Sequence, residues 1–298
     1  MRIGVLDIGS NSVLLLIAEQ TAEGWRVLTD QTTITRLAEG FSPSHHLQAE
    51  AVARTLRTIQ SYLQVCSEAR VCRCVAIATA VVREAHNPEA ILQPLHALAP
   101  DLTVWVLSES EEAELSFLSV SSDPLFRSEG RLAVIDVGGG SVEVCTGMRT
   151  PEWSHSFAIG AVRMHEQFGD NLFALQAHLE PLLTLLASCP PAERAVAIGG
   201  TGVNLALLAG KHSQFDPAIV HGTCLTLETL REIRTLMLAL PERDRRQLPG
   251  AEPERARILP IGAFLLEQVL TQLRHDRCFV SIRGARYGVL EQLDRFIG

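Results

Sequence analysis

Two short stretches of this sequence place an acid, glycines and a serine in the same order. Asp7 is followed by Ile8-Gly9-Ser10-Asn11-Ser12, and Asp136 by Val137-Gly138-Gly139-Gly140-Ser141. In each, an apolar run ends in aspartate, the chain turns on glycine, and a second apolar run begins. Glycine allows close approach of the backbone to a ligand, and successive turn amides can cradle phosphate oxygens, with hydroxyls as further donors. Gly9, Ser10, Asn11, Ser12, Gly138, Gly139, Gly140 and Ser141 are therefore candidate phosphate-binding residues. Asp7 and Asp136 would repel phosphate unless a divalent cation or an attacking water lies between them and it. A third glycine segment, Ile198-Gly199-Gly200-Thr201-Gly202, runs from a strand into a helix. Unobstructed amides at a helix N-terminus suit an anion, which adds Gly199, Gly200 and Thr201.

Acids and arginines complete the inventory. In Ser108-Glu109-Ser110-Glu111-Glu112-Ala113-Glu114, Ser108 and Glu111 have capping-box spacing, which leaves Glu112 on another side of the helix. Arg83, Arg163 and Arg286 can clamp phosphoryl oxygens bidentately, and Lys211 is the only lysine, so cationic contacts fall to guanidinium groups. The seven cysteines lack a CxxC pair and read as reduced thiols, with Cys72 and Cys74 alternating on one strand.

The elements that must carry these residues follow from periodicity. Residues 2–8 and 12–19 read as a hairpin of buried strands, with further strands at 25–30, 74–80 and 103–107. Residues 47–67 form an amphipathic helix, a second helix opens with Asn87 as N-cap and Pro88 behind it, and a third starts after Ser108. Helices are expected at 159–168, 171–188, 201–210, 226–240, 252–274 and 286–296, with short strands near 194–199 and 278–282. This is an α/β chain with mixed sheets. The polar stretch 121–131 marks a boundary between an N-terminal domain, 1–125, and a C-terminal domain, 126–298, whose last helix packs back on the first. Duplication of the glycine hairpin implies two related domains around a central cleft.

Composition narrows the class. The chain has 298 residues, 47% hydrophobic, with a formal net charge of -8. That supports packed cores and argues against disorder and nonspecific nucleic-acid binding. No apolar run is long enough for a membrane span and the start lacks a secretory leader, so a soluble, cytoplasmic protein is expected.

The strings DIGSNS (7–12), ATAVVREAHN (78–87), LSESEEAELSFLSV (107–120), VIDVGGGSVEV (134–144), IGAVRMHEQF (159–168), AIGGTGVNLA (197–206), HGTCLTLETL (221–230), ILPIGAFLLEQVL (258–270) and SIRGARYGVL (281–290) occur along nearly the whole chain. Together they resemble the exopolyphosphatase/guanosine pentaphosphate phosphatase (Ppx/GppA) family in a short two-domain form. The resemblance implies two ribonuclease-H-like domains of the actin-like ATPase superfamily. It implies metal-dependent release of terminal phosphate from inorganic polyphosphate, or alternatively from guanosine pentaphosphate (pppGpp). A non-hydrolytic phosphate or nucleotide sensor on the same fold is the reading from another class. Glu112 matches the family's water-activating base, and Glu143 the acid near metal and nucleophilic water. Asp7, Asp136 and Glu143 would hold Mg2+ or Mn2+, while Arg83 and Arg286 join the glycine turns as phosphate ligands. The expected partner is polyphosphate or pppGpp, with no nucleic acid and no membrane, and a homodimer as candidate assembly. Leu14 replaces a basic residue of the family, and Glu109 and Glu114 make the surroundings of the base more acidic than the pattern.

Overall fold

The opening run Arg2–Ile8 (β1) is almost continuously apolar, as suits a strand covered on both faces. It turns at Gly9 into Ser12–Thr21 (β2), and Gly24–Ile34 (β3) completes an antiparallel meander. In this computed structural model, which describes residues 1–41, 44–127 and 130–297, helix Ala49–Glu68 (α1) then leads to Arg73–Ala78 (β4), parallel to β1. Short helix Ala80–Arg83 (α2), helix Glu89–Leu98 (α3) and strand Thr103–Val106 (β5) precede helix Glu109–Ser121 (α4).

The pattern then begins again. Leu132–Val137 (β6), Val142–Gly147 (β7) and Pro151–Phe157 (β8) form a second meander, followed by helices Ala161–Phe168 (α5) and Leu172–Leu183 (α6). Arg194–Ile198 (β9) runs directly into Gly199–Gly210 (α7). Pro217–Val220 (α8), Cys224–Thr226 (β10), Leu227–Leu238 (α9), Glu242–Arg245 (α10), Leu259–Gln272 (α11) and Arg277–Val280 (β11) follow. Two short helices, Ala285–Glu291 (α12) and Leu293–Ile297 (α13), close the chain.

The first sheet has the order β3-β2-β1-β4-β5 and the second β10-β11-β9-β6-β7-β8. Read from β8, the second repeats the first strand for strand, with β10 added antiparallel at its edge. The chain divides into two compact units, Met1–Leu115 with Ala285–Gly298, and Ser116–Gly284, so the division falls inside α4 rather than at 125. Within the first unit, one face of the sheet packs Ile59 and Tyr62 of α1 and Leu95 of α3. Its other face packs Leu115, Val289 and Phe296. Within the second, Leu179 and Leu265 lie on one face, and Phe117 and Phe126 on the other.

Several boundaries differ from the sequence reading. Asn87 does not cap α3; its carboxamide accepts from the Leu47 amide at 2.8 Å and donates to the Leu47 carbonyl, tying the two loops together. Helix 252–274 starts only at Leu259, and 286–296 is broken at Gln292. β8 and β10 were not expected, since one is a half-exposed edge strand and the other has three residues. Among the described residues no helix is long and apolar enough to cross a membrane.

Candidate active site

The two glycine turns have the same hydrogen bonding. The Gly9 amide donates to the Ser12 carbonyl at 2.9 Å, and the Gly138 amide to the Ser141 carbonyl at 3.0 Å. The turn carbonyls are taken up within the protein. Ser10 and Asn11 accept from the amides of Ala38, Thr35 and Arg36, whereas Gly138, Gly139 and Gly140 accept from residues 160–163 at the start of α5. Among the described residues no acceptor stands at the amides of Ser10, Asn11, Gly139 or Gly140. Each turn therefore presents donors without competing carbonyls, the arrangement an anion requires.

Strand register sets the acids behind those turns. In the first unit Asp7 lies opposite Leu14 of β2 and Ile77 of β4. In the second, Asp136 lies opposite Glu143 of β7, and Glu143 opposite Ser156 of β8. Leu14 and Glu143 thus occupy equivalent places in the two sheets. The Ser156 hydroxyl donates to Glu143 at 3.0 Å. Gly199, with φ +76°, passes so close to the Asp136 carboxylate that a Cβ there would collide with it. Only glycine meets both demands.

Glu112 stands apart from its acidic neighbours. The capping box forms: the Ser108 amide donates to Glu111 at 2.8 Å, and the Glu111 amide returns to the Ser108 hydroxyl at 3.3 Å. Glu112 instead turns toward Arg83, whose Nη1 reaches it at 2.9 Å and the Leu107 carbonyl at 2.8 Å. Its side chain is 24% exposed. Burial pushes its carboxyl above the usual range and Glu109 and Glu84 add to the rise, while Arg83 opposes it. Asp7 is pushed up to about 7, chiefly by burial, with Arg286 lowering it and Glu112 raising it. Asp7, Arg83 and Glu112 therefore form one electrostatic group in the first unit. Glu114 does not belong to it, because Gln292 and Arg295 of the C-terminal segment bind its carboxylate.

Two expected ligands are engaged elsewhere. The Thr201 side chain is buried and donates to the Val137 carbonyl at 2.6 Å, pinning α7 to the end of β6. Arg286 is 6% exposed and forks onto Asp30 at 2.9 Å, where the Tyr287 hydroxyl also donates. Its charge reaches Asp7, but its fork is filled by a carboxylate rather than left for phosphate.

Other groups were missed by the sequence reading. The Arg255 guanidinium lies directly over Gly200 at the start of α7, held by Glu252 at 2.6 Å. Its one signal was the charged stretch 252–257 before an apolar helix. Arg163, by contrast, was already a candidate clamp in the sequence; it lies beside Gly140, is exposed, and has no carboxylate partner among the described residues. Asp30 gave no signal at all.

The metal expectation fits in part. Two carboxylates directly opposite on paired strands, Asp136 and Glu143, disfavour each other unless a cation or proton is shared. Mg2+ is held by one or two carboxylates with waters and substrate phosphates, which suits such a pair. Among the described residues no three His, Cys, Asp or Glu side chains gather to cage a metal ion. Asp7 lies in the other unit.

The model of the Ppx/GppA phosphatase family matches residues 16–295. Exopolyphosphatase 1 of Mycobacterium tuberculosis is 30% identical, over 99% of this chain and 89% of that protein. Exopolyphosphatase 2 of the same organism is 28% identical, over 97% and 96% respectively. Among solved structures, an Aquifex aeolicus Ppx/GppA family member superposes with a TM-score of 0.85 and 27% identity, covering 99% of this chain and 98% of that one. An exopolyphosphatase from Cytophaga hutchinsonii, 24% identical, gives a TM-score of 0.89 over 99% of both chains, a likeness of fold. The duplicated mixed sheet is thus the ribonuclease-H-like fold of actin-like ATPases.

Proposed function

Since the chain belongs to the Ppx/GppA phosphatase family, we propose that it hydrolyses the terminal phosphoanhydride of inorganic polyphosphate and releases orthophosphate. The observation that carries this reading is Glu112: a largely buried carboxylate, free of the capping duty of Glu111, bonded to one arginine and coupled to Asp7. A carboxyl held above its usual range is a better proton acceptor for water than an ordinary one.

In this account Glu112 orients and deprotonates the attacking water, with Arg83 fixing its carboxylate. The amides of Ser10, Asn11, Gly139 and Gly140, the hydroxyls of Ser12 and Ser141, and the guanidinium groups of Arg163 and Arg255 bind the phosphates. Asp7, Asp136 and Glu143 are the acids that would hold Mg2+ or Mn2+, which would supply neutralisation of phosphate charge. Phosphoryl transfer asks little covalent chemistry of the protein, so positioning and charge supply the acceleration.

The test is orthophosphate release from short polyphosphate, long polyphosphate and pppGpp, each with Mg2+ and with a chelator. Metal-dependent release from polyphosphate is expected. Faster release from pppGpp would reassign the substrate, and binding without any release would make the chain a sensor.

A further inference from the structure

Outside the phosphate machinery, the first unit brings two thiols together. Gly4 lies in the middle of β1, opposite Cys74 of β4 in the parallel register. A Cβ on Gly4 would stand 3.0 Å from the Cys66 sulfur and 3.1 Å from the Cys74 sulfur. The space that a side chain would occupy is therefore filled by two sulfurs, one from the last turn of α1 and one from the second residue of β4. Cys66 is buried and Cys74 half-buried. Cys74 also lines a cavity of about 590 Å3, together with Cys72, Val71 and Leu98. Cys72 precedes β4 and is exposed, so it does not alternate with Cys74 on one strand as the sequence suggested.

We propose that Cys66 and Cys74 are a redox-modifiable pair that closes to an intramolecular disulfide when a small peroxide enters by that cavity. Cys74 is half-buried and lines that cavity whereas Cys66 is buried, so Cys74 is the thiol that a peroxide meets first. The thiolate is the nucleophile in such chemistry. Cys74 attacks one peroxide oxygen, the O–O bond breaks, and the leaving hydroxide takes a proton to become water. The resulting Cys74 sulfenic acid is attacked by Cys66; the S–S bond forms, the S–O bond breaks, and a second water leaves. In total two thiols and one hydrogen peroxide give one disulfide and two waters.

The experiment uses the full reduced chain exposed to a few equivalents of hydrogen peroxide, alkylated, and digested with trypsin without reduction. Arg70 and Arg73 lie between the two cysteines, so a disulfide would link the separate peptides 58–70 and 74–83. The expected result is that linked pair, abolished by dithiothreitol, with a dimedone adduct on Cys74 in Cys66→Ser. Full alkylation of both residues after peroxide overturns the proposal, as does a link from Cys74 to Cys72 or oxidation confined to the exposed Cys72 and Cys224.

Discussion

At the scale of single residues, the acidic run of α4 divides its labour. Glu111 caps the helix, Glu114 is neutralised from the C-terminal segment, and Glu112 is held partly buried by Arg83. Of the two acids expected to burden the base, only Glu109 acts on Glu112. Replacing it in Glu109→Gln should move the acidic limb of the kcat–pH profile to lower pH, by less at high salt than at low, because Glu109 is exposed. An unmoved limb at low salt would detach Glu109 from the base. Asp7 gives a second case, with stability as the readout. Its folded pKa is raised, so its contribution to stability is fully present below 3.8 and lost as pH rises through about 7. In chelator at pH 8, Asp7→Asn should be more stable to urea than the wild type by about 4 kcal/mol. At pH 3 the difference should vanish. Equal stability at both pH values would contradict the burial cost assigned to Asp7.

At the scale of elements, the turns explain what could be read in advance and what could not. Asp7-to-Ser12 and Asp136-to-Ser141 were legible because a hairpin with glycine at its turn is a local pattern, fixed within a few residues. The capping box at Ser108 was legible for the same reason. Thr201 was misread because a helix N-terminus looks alike in sequence whether its hydroxyl faces a ligand or a neighbouring strand. Here it bonds Val137, 64 positions away. Thr201→Val should therefore cost about 1–3 kcal/mol, the price of an unpaired buried carbonyl. Its Kd for polyphosphate, measured at a temperature where the variant is folded, should stay within about twofold, a change smaller than one lost hydrogen bond gives. A tenfold weaker Kd in a variant of unchanged stability would return Thr201 to the phosphate site.

At the scale of the whole molecule, duplication was visible because both halves open on the same string, and it reappears as one strand order in both sheets. The assignment of the chain's end to the first unit rests on contacts that no local pattern encodes. Asp30 and Arg286 are 256 residues apart, yet they form a buried, forked ion pair. Breaking it in Asp30→Asn should cost about 3–5 kcal/mol in urea unfolding, because a desolvated guanidinium is left without its carboxylate. A loss below 1 kcal/mol would show the pair to be incidental. Net charge is likewise a property of the whole chain: at -8, with carboxylates beside the glycine turns, the proposed binding of a polyanion would call for cations. The most direct test of the central claim is Glu112→Gln with polyphosphate and Mg2+, read by both orthophosphate release and chain binding. The amide can still accept from Arg83, so the account predicts that turnover falls by about 10²-fold or more while Kd stays within a few-fold. Turnover close to that of the wild type would contradict it.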